Sequence, residues 1–180
     1  MKFLPGDLDG VWIIEFEKHA DERGYFARTW CVDEFEQNGL NPRLVQCNTS
    51  FSHKAGTLRG MHYQAAPHAE AKLIRCTRGA IFDVALDLRP NSPTFKRWLS
   101  MELHASGNRM LYIPEGFAHG FQTLEDQTEV FYQMSEFYHP GSVRGVRWDD
   151  LETGIQWPIR NPIMSERDRT LPHLSDIQTL

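Results

Sequence analysis

Short extended runs closed by turn residues dominate this chain and leave little of it for helices. Residues 11–16, 44–48, 57–64, 72–77 and 80–88 are such runs, bounded by turn residues in the pattern of strands. Arg78-Gly79 between the last two predicts a tight hairpin, with glycine supplying the turn geometry. Residues 98–103 alternate, and Ser106-Gly107-Asn108 turns them into residues 110–113. The polar stretch 125–128 joins residues 117–124 to residues 129–134. Roughly eight to ten strands is the range of an all-β, double-sheet jelly roll with a few short helices. One such helix is expected over residues 32–38, with Asp33 near its start and Gly39 at its stop. The tail from Asp149 has room for one or two helical turns. There is no internal repeat or linker, so a single domain is expected over residues 1–180.

Composition narrows the function classes. A chain of 180 residues buries roughly 70% of its unfolded surface, so it needs no disulfide or metal staple. No apolar run reaches the ~18 residues of a membrane span, and the start turns polar too soon for a signal peptide. Lys and Arg total 19 against 24 Asp and Glu, a balance that argues against broad nucleic-acid binding. It leaves room for a small anionic ligand held by a few local cations. Cys31, Cys47 and Cys76 are odd in number and form no C-x-x-C pair, which fits a reducing cytoplasm.

Two segments carry chemistry, residues 56–79 and residues 107–120. Together they resemble the two motifs of the cupin superfamily, jelly rolls that often hold a metal with three His and one Glu. Gly56 and His62 keep the spacing of the first motif, and Pro114-x-Gly116-x-x-His119 matches the second. Gln64 and Lys72 stand where the second His and the Glu are expected. A protonated lysine has no lone pair, and two histidines alone make a poor first-row metal site. The expectation is no metal.

A closer resemblance covers residues 11–172. Asp21-Glu22-Arg23-Gly24-Tyr25-Phe26, Leu58-Arg59-Gly60-Met61-His62-Tyr63-Gln64, Lys72-Leu73-Ile74-Arg75, the run 79–89 and the run 113–121 occur in order. Tyr132, Tyr138, Trp148-Asp149-Asp150, Trp157-Pro158 and Ser165-Glu166-Arg167-Asp168 follow. The chain thus resembles the dTDP-4-dehydrorhamnose 3,5-epimerases. That resemblance implies a homodimeric 3,5-epimerase, or a 3- or 5-mono-epimerase, that needs no cofactor and acts on a nucleotide-linked 4-keto-6-deoxy sugar, first of all dTDP-4-dehydro-6-deoxyglucose, with neither nucleic acid nor membrane as partner. Such epimerisation needs a base on one face of the sugar, an acid on the other and a donor at the enolate oxygen.

The resemblance assigns the base to His62 with Asp168 as its partner, the acid to Tyr132 and the enolate donor to Lys72. An imidazole titrates near neutral pH, and a carboxylate on its other nitrogen fixes the tautomer. By the same resemblance Arg23, Phe26, Arg28, Gln46, Asn48, Arg59, His119, Tyr138 and Arg167 contact the substrate, with Tyr138 stacking on the nucleobase. Taken singly, Tyr132 reads as a half-buried strand tyrosine, Asp168 as a helix cap, Lys72 as a solvated lysine and the two histidines as core residues. Two departures fall on the nucleotide side: Arg28 and Val143 stand where the family usually carries acidic residues. An arginine facing the base edge suits the acceptors of cytosine, so a CDP-linked sugar is the alternative to dTDP. A ketoisomerase and a non-catalytic sugar-nucleotide or metal-binding cupin are the other readings.

Overall fold

The computed structural model describes residues 1–177, so the last three residues of the expected 1–180 domain lie outside it. Thirteen strands form: β1 (Lys2–Pro5), β2 (Trp12–Glu15), β3 (His19–Asp21), β4 (Gly24–Phe26), β5 (Gln46–Ser52), β6 (Leu58–Gln64) and β7 (Lys72–Arg78). They continue with β8 (Ala80–Asp87), β9 (Trp98–His104), β10 (Arg109–Ile113), β11 (Phe117–Thr123), β12 (Thr128–Met134) and β13 (Val143–Gly145). Two short helices join them, α1 (Val32–Gln37) and α2 (Glu166–Arg169). A six-stranded sheet runs β1-β2-β10-β7-β12-β5, a five-stranded sheet β13-β6-β11-β8-β9, and β3-β4 form a separate ribbon. The expected cupin-type jelly roll is the observed architecture.

Alternation decides which residues face inward. Ile74, Cys76 and Val130 from the six-stranded sheet meet Ile81, Ala85, Leu103, Phe117 and Phe121 from the five-stranded one, forming the core between the sheets. Leu73, Met110 and Tyr112 point the other way and pack beneath Phe35 of α1. Met61, Tyr63, Val84 and Leu86 cover the outer face of the five-stranded sheet together with Val146, Ile155 and Leu174 from the tail.

The hairpin expected at Arg78-Gly79 does not form. β7 pairs with β10 and β12, whereas β8 pairs with β11 and β9. The turn instead carries the chain from one sheet to the other. Gly79, at φ +75°, passes so close to Thr128 that a Cβ would lie 2.4 Å from its Oγ1. The links 104–109 and 123–128 make the same crossing. The strand expected over 44–48 begins at Gln46 and runs on to Ser52.

One irregularity shapes the site. His119 pairs with His62 but Phe121 pairs with Arg59, so three steps on β6 oppose two on β11. The extra residue shifts the alternation, and Arg59 and His62 both face the space between the sheets. Gly60 sits in this bulge at φ +131°, and a Cβ there would lie 2.4 Å from the Gly120 Cα. Gly60→Ala is therefore expected to cost about 2–4 kcal/mol, read as a lowered midpoint in urea unfolding. A midpoint within error of wild type would contradict this packing.

Candidate active site

Between the two sheets, at one open end, lies a cavity of about 390 Å³. Each wall has its own source. The six-stranded sheet supplies Gln46 and Asn48 from β5, Lys72 from β7, and Tyr132 and Met134 from β12. These residues form two rows by register: Gln46–Met134–Lys72 and Asn48–Tyr132–Ile74. The five-stranded sheet supplies Arg59, His62 and Gln64 from β6 and His119 from β11. Helix α2 closes the end with Arg167 and Asp168, and Tyr138 and Val143 stand on the same wall of loop and short strand. Of the thirteen site residues expected from the sequence, ten line this space.

His62 Nε2 lies 2.8 Å from Asp168 Oδ1, across 106 residues of chain. An ionised carboxylate only accepts, so the hydrogen sits on Nε2 and Nδ1 keeps a lone pair. Asp168 Oδ2 accepts from the Gly60 N–H at 3.4 Å, and the Asp168 N–H donates to Ser165 Oγ at 3.2 Å. Burial pushes the Asp168 carboxyl up, but the hydrogen bonds it accepts from His62 and the Gly60 N–H hold it below the usual carboxylate range. Its stabilising contribution is therefore present above the unfolded carboxylate value of about 3.9 and is lost as pH falls through the lower folded value.

Tyr132 is raised above the ordinary phenol value of 10.0, chiefly by burial, against the opposing pull of Ser50 and Arg59. It stays a phenol, and hence an acid, through pH 10. An absorbance titration of wild type against Tyr132→Phe should find this tyrosine ionising above that pH. A group titrating near pH 8 and lost in the variant would contradict it.

Lys72 is buried, and its Nζ lies 3.1 Å from Glu70 Oε1. The Glu70 Oε2 accepts from Gln64 Nε2 at 3.0 Å. Gln64 Nε2 is also within reach of the His68 and Phe137 carbonyls, and its Oε1 accepts the His139 N–H at 2.7 Å. The amide thus ties the loops on either side of the cavity mouth, one of which carries Tyr138. The donor set does not fit a metal. The lysine and the amide occupy two of the four ligand positions, and among the described residues no group of three His, Cys, Asp or Glu converges.

Arg23, Phe26 and Arg28 lie elsewhere. Arg23 and Phe26 belong to the β3–β4 ribbon, where Arg23 pairs with Asp21 at 2.5 Å and Phe26 is 74% exposed. Arg28 Nη1 donates to Glu34 Oε1 at 2.9 Å, away from the cavity. Sequence reasoning gave no role to Glu70 or Asp83, although both touch site residues. The signal for Glu70 was its place two residues before Lys72, which puts the pair on one side of an extended chain. Asp83 had only its position inside a recognised stretch.

Residues 5–176 match the family model described as dTDP-4-dehydrorhamnose 3,5-epimerase. A relative of that name from Methanothermobacter thermautotrophicus is 47% identical over 93% of this chain and 91% of its own. The crystal structure of a dTDP-4-dehydrorhamnose 3,5-epimerase from Bacillus anthracis, with TDP and PPi bound, superposes with a TM-score of 0.93. It is 42% identical, over 96% of this chain and 99% of that one. An epimerase from Legionella pneumophila, solved with dTDP-4-keto-L-rhamnose, gives 0.92 at 35% identity, covering 98% and 94%. With the match running almost end to end in sequence and in fold, this chain belongs to the dTDP-4-dehydrorhamnose 3,5-epimerase family.

Proposed function

We propose that the protein is a cofactor-independent 3,5-epimerase converting dTDP-4-dehydro-6-deoxyglucose to dTDP-4-dehydrorhamnose. One observation carries the reading: His62 and Tyr132 come from opposite sheets and border one cavity. Inversion of a carbon needs just that, a base and an acid on opposite faces of the sugar. The proton beside the C4 ketone passes to His62 Nδ1, and the C–H electron pair moves into the carbonyl to give an enolate. The Lys72 ammonium holds the enolate oxygen, and Asp168 stabilises the imidazolium. Tyr132 O–H then returns a proton to the opposite face. The substrate's own carbonyl stabilises the carbanion, so no step calls for a cofactor.

Arg59 and Arg167 border the cavity with geometry suited to phosphate oxygens, and we assign them to the diphosphate. Gln46, Asn48 and His119 are assigned to the rest of the substrate, with Tyr138, 54% exposed beside the mouth, stacking on the base. The ribbon carrying Arg23 and Phe26 does not line its own cavity, and Tyr25 beside them is 50% exposed. In a homodimer that ribbon completes the partner's site. Protomers bearing Arg23→Glu mixed with protomers bearing His62→Asn should then regain about a quarter of wild-type activity, because half the dimers are mixed and each holds one intact site. No recovery from two inactive parents would rule out the shared site. The three cysteines are free, in keeping with a cytoplasmic enzyme.

The function is tested by NMR of the product from dTDP-4-dehydro-6-deoxyglucose, which separates double inversion, single inversion and ketone migration. Calorimetry with dTDP, CDP, UDP and GDP addresses the nucleotide. Since Arg28 is paired with Glu34, dTDP should bind best and Arg28→Glu should not change that order. A preference for CDP that Arg28→Glu abolishes would support the alternative, an epimerase of a CDP-linked sugar.

A further inference from the structure

The cavity has a second histidine–carboxylate pair. His119 lies directly opposite His62 across β6 and β11, borders the same cavity and is 7% exposed. Its Nε2 is 2.7 Å from Asp83 Oδ1 on β8, the strand on the far side of β11. An ionised carboxylate accepts only, so this contact places the hydrogen on Nε2. His119 Nδ1 has no partner among the described residues and keeps its lone pair.

Asp83 itself is costly to the fold. It is fully buried, and its Oδ2 has no hydrogen-bond partner among the described residues. A buried carboxylate with one donor carries a desolvation cost that a single bond does not offset. Asp168 differs, since both of its oxygens accept. The neighbours of Asp83 on the same face of β8, Ile81 and Ala85, show what the strand otherwise uses here. An apolar residue would serve the fold at this position without that cost, and among the described residues the only side-chain partner of Asp83 is His119.

We propose that Asp83 is a positioning residue for the epimerisation. It fixes His119 as the Nε2–H tautomer, so that Nδ1 accepts a hydrogen bond from a hydroxyl of the substrate sugar. A neutral imidazole in this tautomer has no donor on its free side, so the ketone oxygen is left to Lys72. His119 thus reads a hydroxyl beside the reacting carbons rather than the carbonyl or the phosphates. This proposal rests on the epimerase reading.

Two arms test it. Long-range proton–nitrogen NMR of the 15N-histidine-labelled protein at pH 7, with His119→Asn to assign the signals, should show His119 protonated on Nε2 alone. Asp83→Asn, whose amide can donate as well as accept, should lose that single tautomer. In the kinetic arm, Asp83→Asn should lower kcat by about tenfold to a hundredfold while dTDP affinity stays within about threefold. Added to His119→Asn, it should lower kcat no further. His119 protonated on Nδ1 or on both nitrogens in wild type would overturn the proposal. So would wild-type kcat in Asp83→Asn, or additive losses in the double variant. Should Asp83→Asn not fold, Asp83→Ser carries the same expectations. Wild-type protein inactive on the keto-sugar would defeat the epimerase reading and the positioning role with it, while the NMR arm would still decide the tautomer.

Discussion

In heavy water, His62→Asn should leave the hydrogens beside the ketone of the keto-sugar in place. Wild type should wash deuterium into C3, C5 or both, and the variant should do so at least about a thousandfold more slowly. Asparagine retains a polar side chain of similar reach but has no group that takes up a proton near neutral pH. The imidazole is part-exposed at the cavity wall, and its Nε2 is already committed to Asp168, so the variant removes the free Nδ1 without opening the core. Binding of dTDP should stay within about threefold, since the assigned phosphate contacts lie on Arg59 and Arg167. A variant exchanging near the wild-type rate would move the base to another residue. A variant that loses dTDP binding in parallel would make His62 a binding group.

Tyr132→Phe should separate two events that His62→Asn removes together. Abstraction and return on the same face need only His62, so deuterium should still enter without inversion. Inversion should fall by about a hundredfold or more, while wash-in falls much less. The ring remains to fill its place in the row between Asn48 and Ile74, so the packing changes little. Equal losses in both measurements would show that the phenol orients the substrate instead of delivering the proton.

Much of this was legible in the chain, for reasons that differ from element to element. β6, β7, β8 and β12 announce themselves as short extended runs bounded by turn residues, because each is packed in the interior with long-range partners on both sides. The Arg78-Gly79 turn was legible as a turn, but local pattern carries no record of the partner strand. A glycine that closes a hairpin and one that slips the chain past Thr128 into the other sheet look alike in sequence. The ribbon β3–β4 and strand β13, three residues each, are too short to show a period.

The site divides the same way. His62, Lys72, Tyr132 and Asp168 were named through the family resemblance, and the fold gathers all four around one cavity. Nothing local to Asp168 points to His62, which is 106 positions away, and taken alone it reads as a helix residue behind Ser165. Asp83 escaped notice because what marks it is burial and a partner in space, neither of which is written at its own position, and Glu70 is marked locally only by its place two residues before Lys72. The extra residue in β6 that turns both Arg59 and His62 inward is likewise a property of two strands in register.

The most direct measurement is the fate of the inverted hydrogens in wild type. The protein is incubated with dTDP-4-dehydro-6-deoxyglucose in heavy water, and the product's C3 and C5 are read by proton NMR. If His62 removes a proton and Tyr132, equilibrated with solvent, returns another from the opposite sheet, every inverted carbon carries deuterium. Inverted product that keeps its original hydrogen would contradict the two-group mechanism.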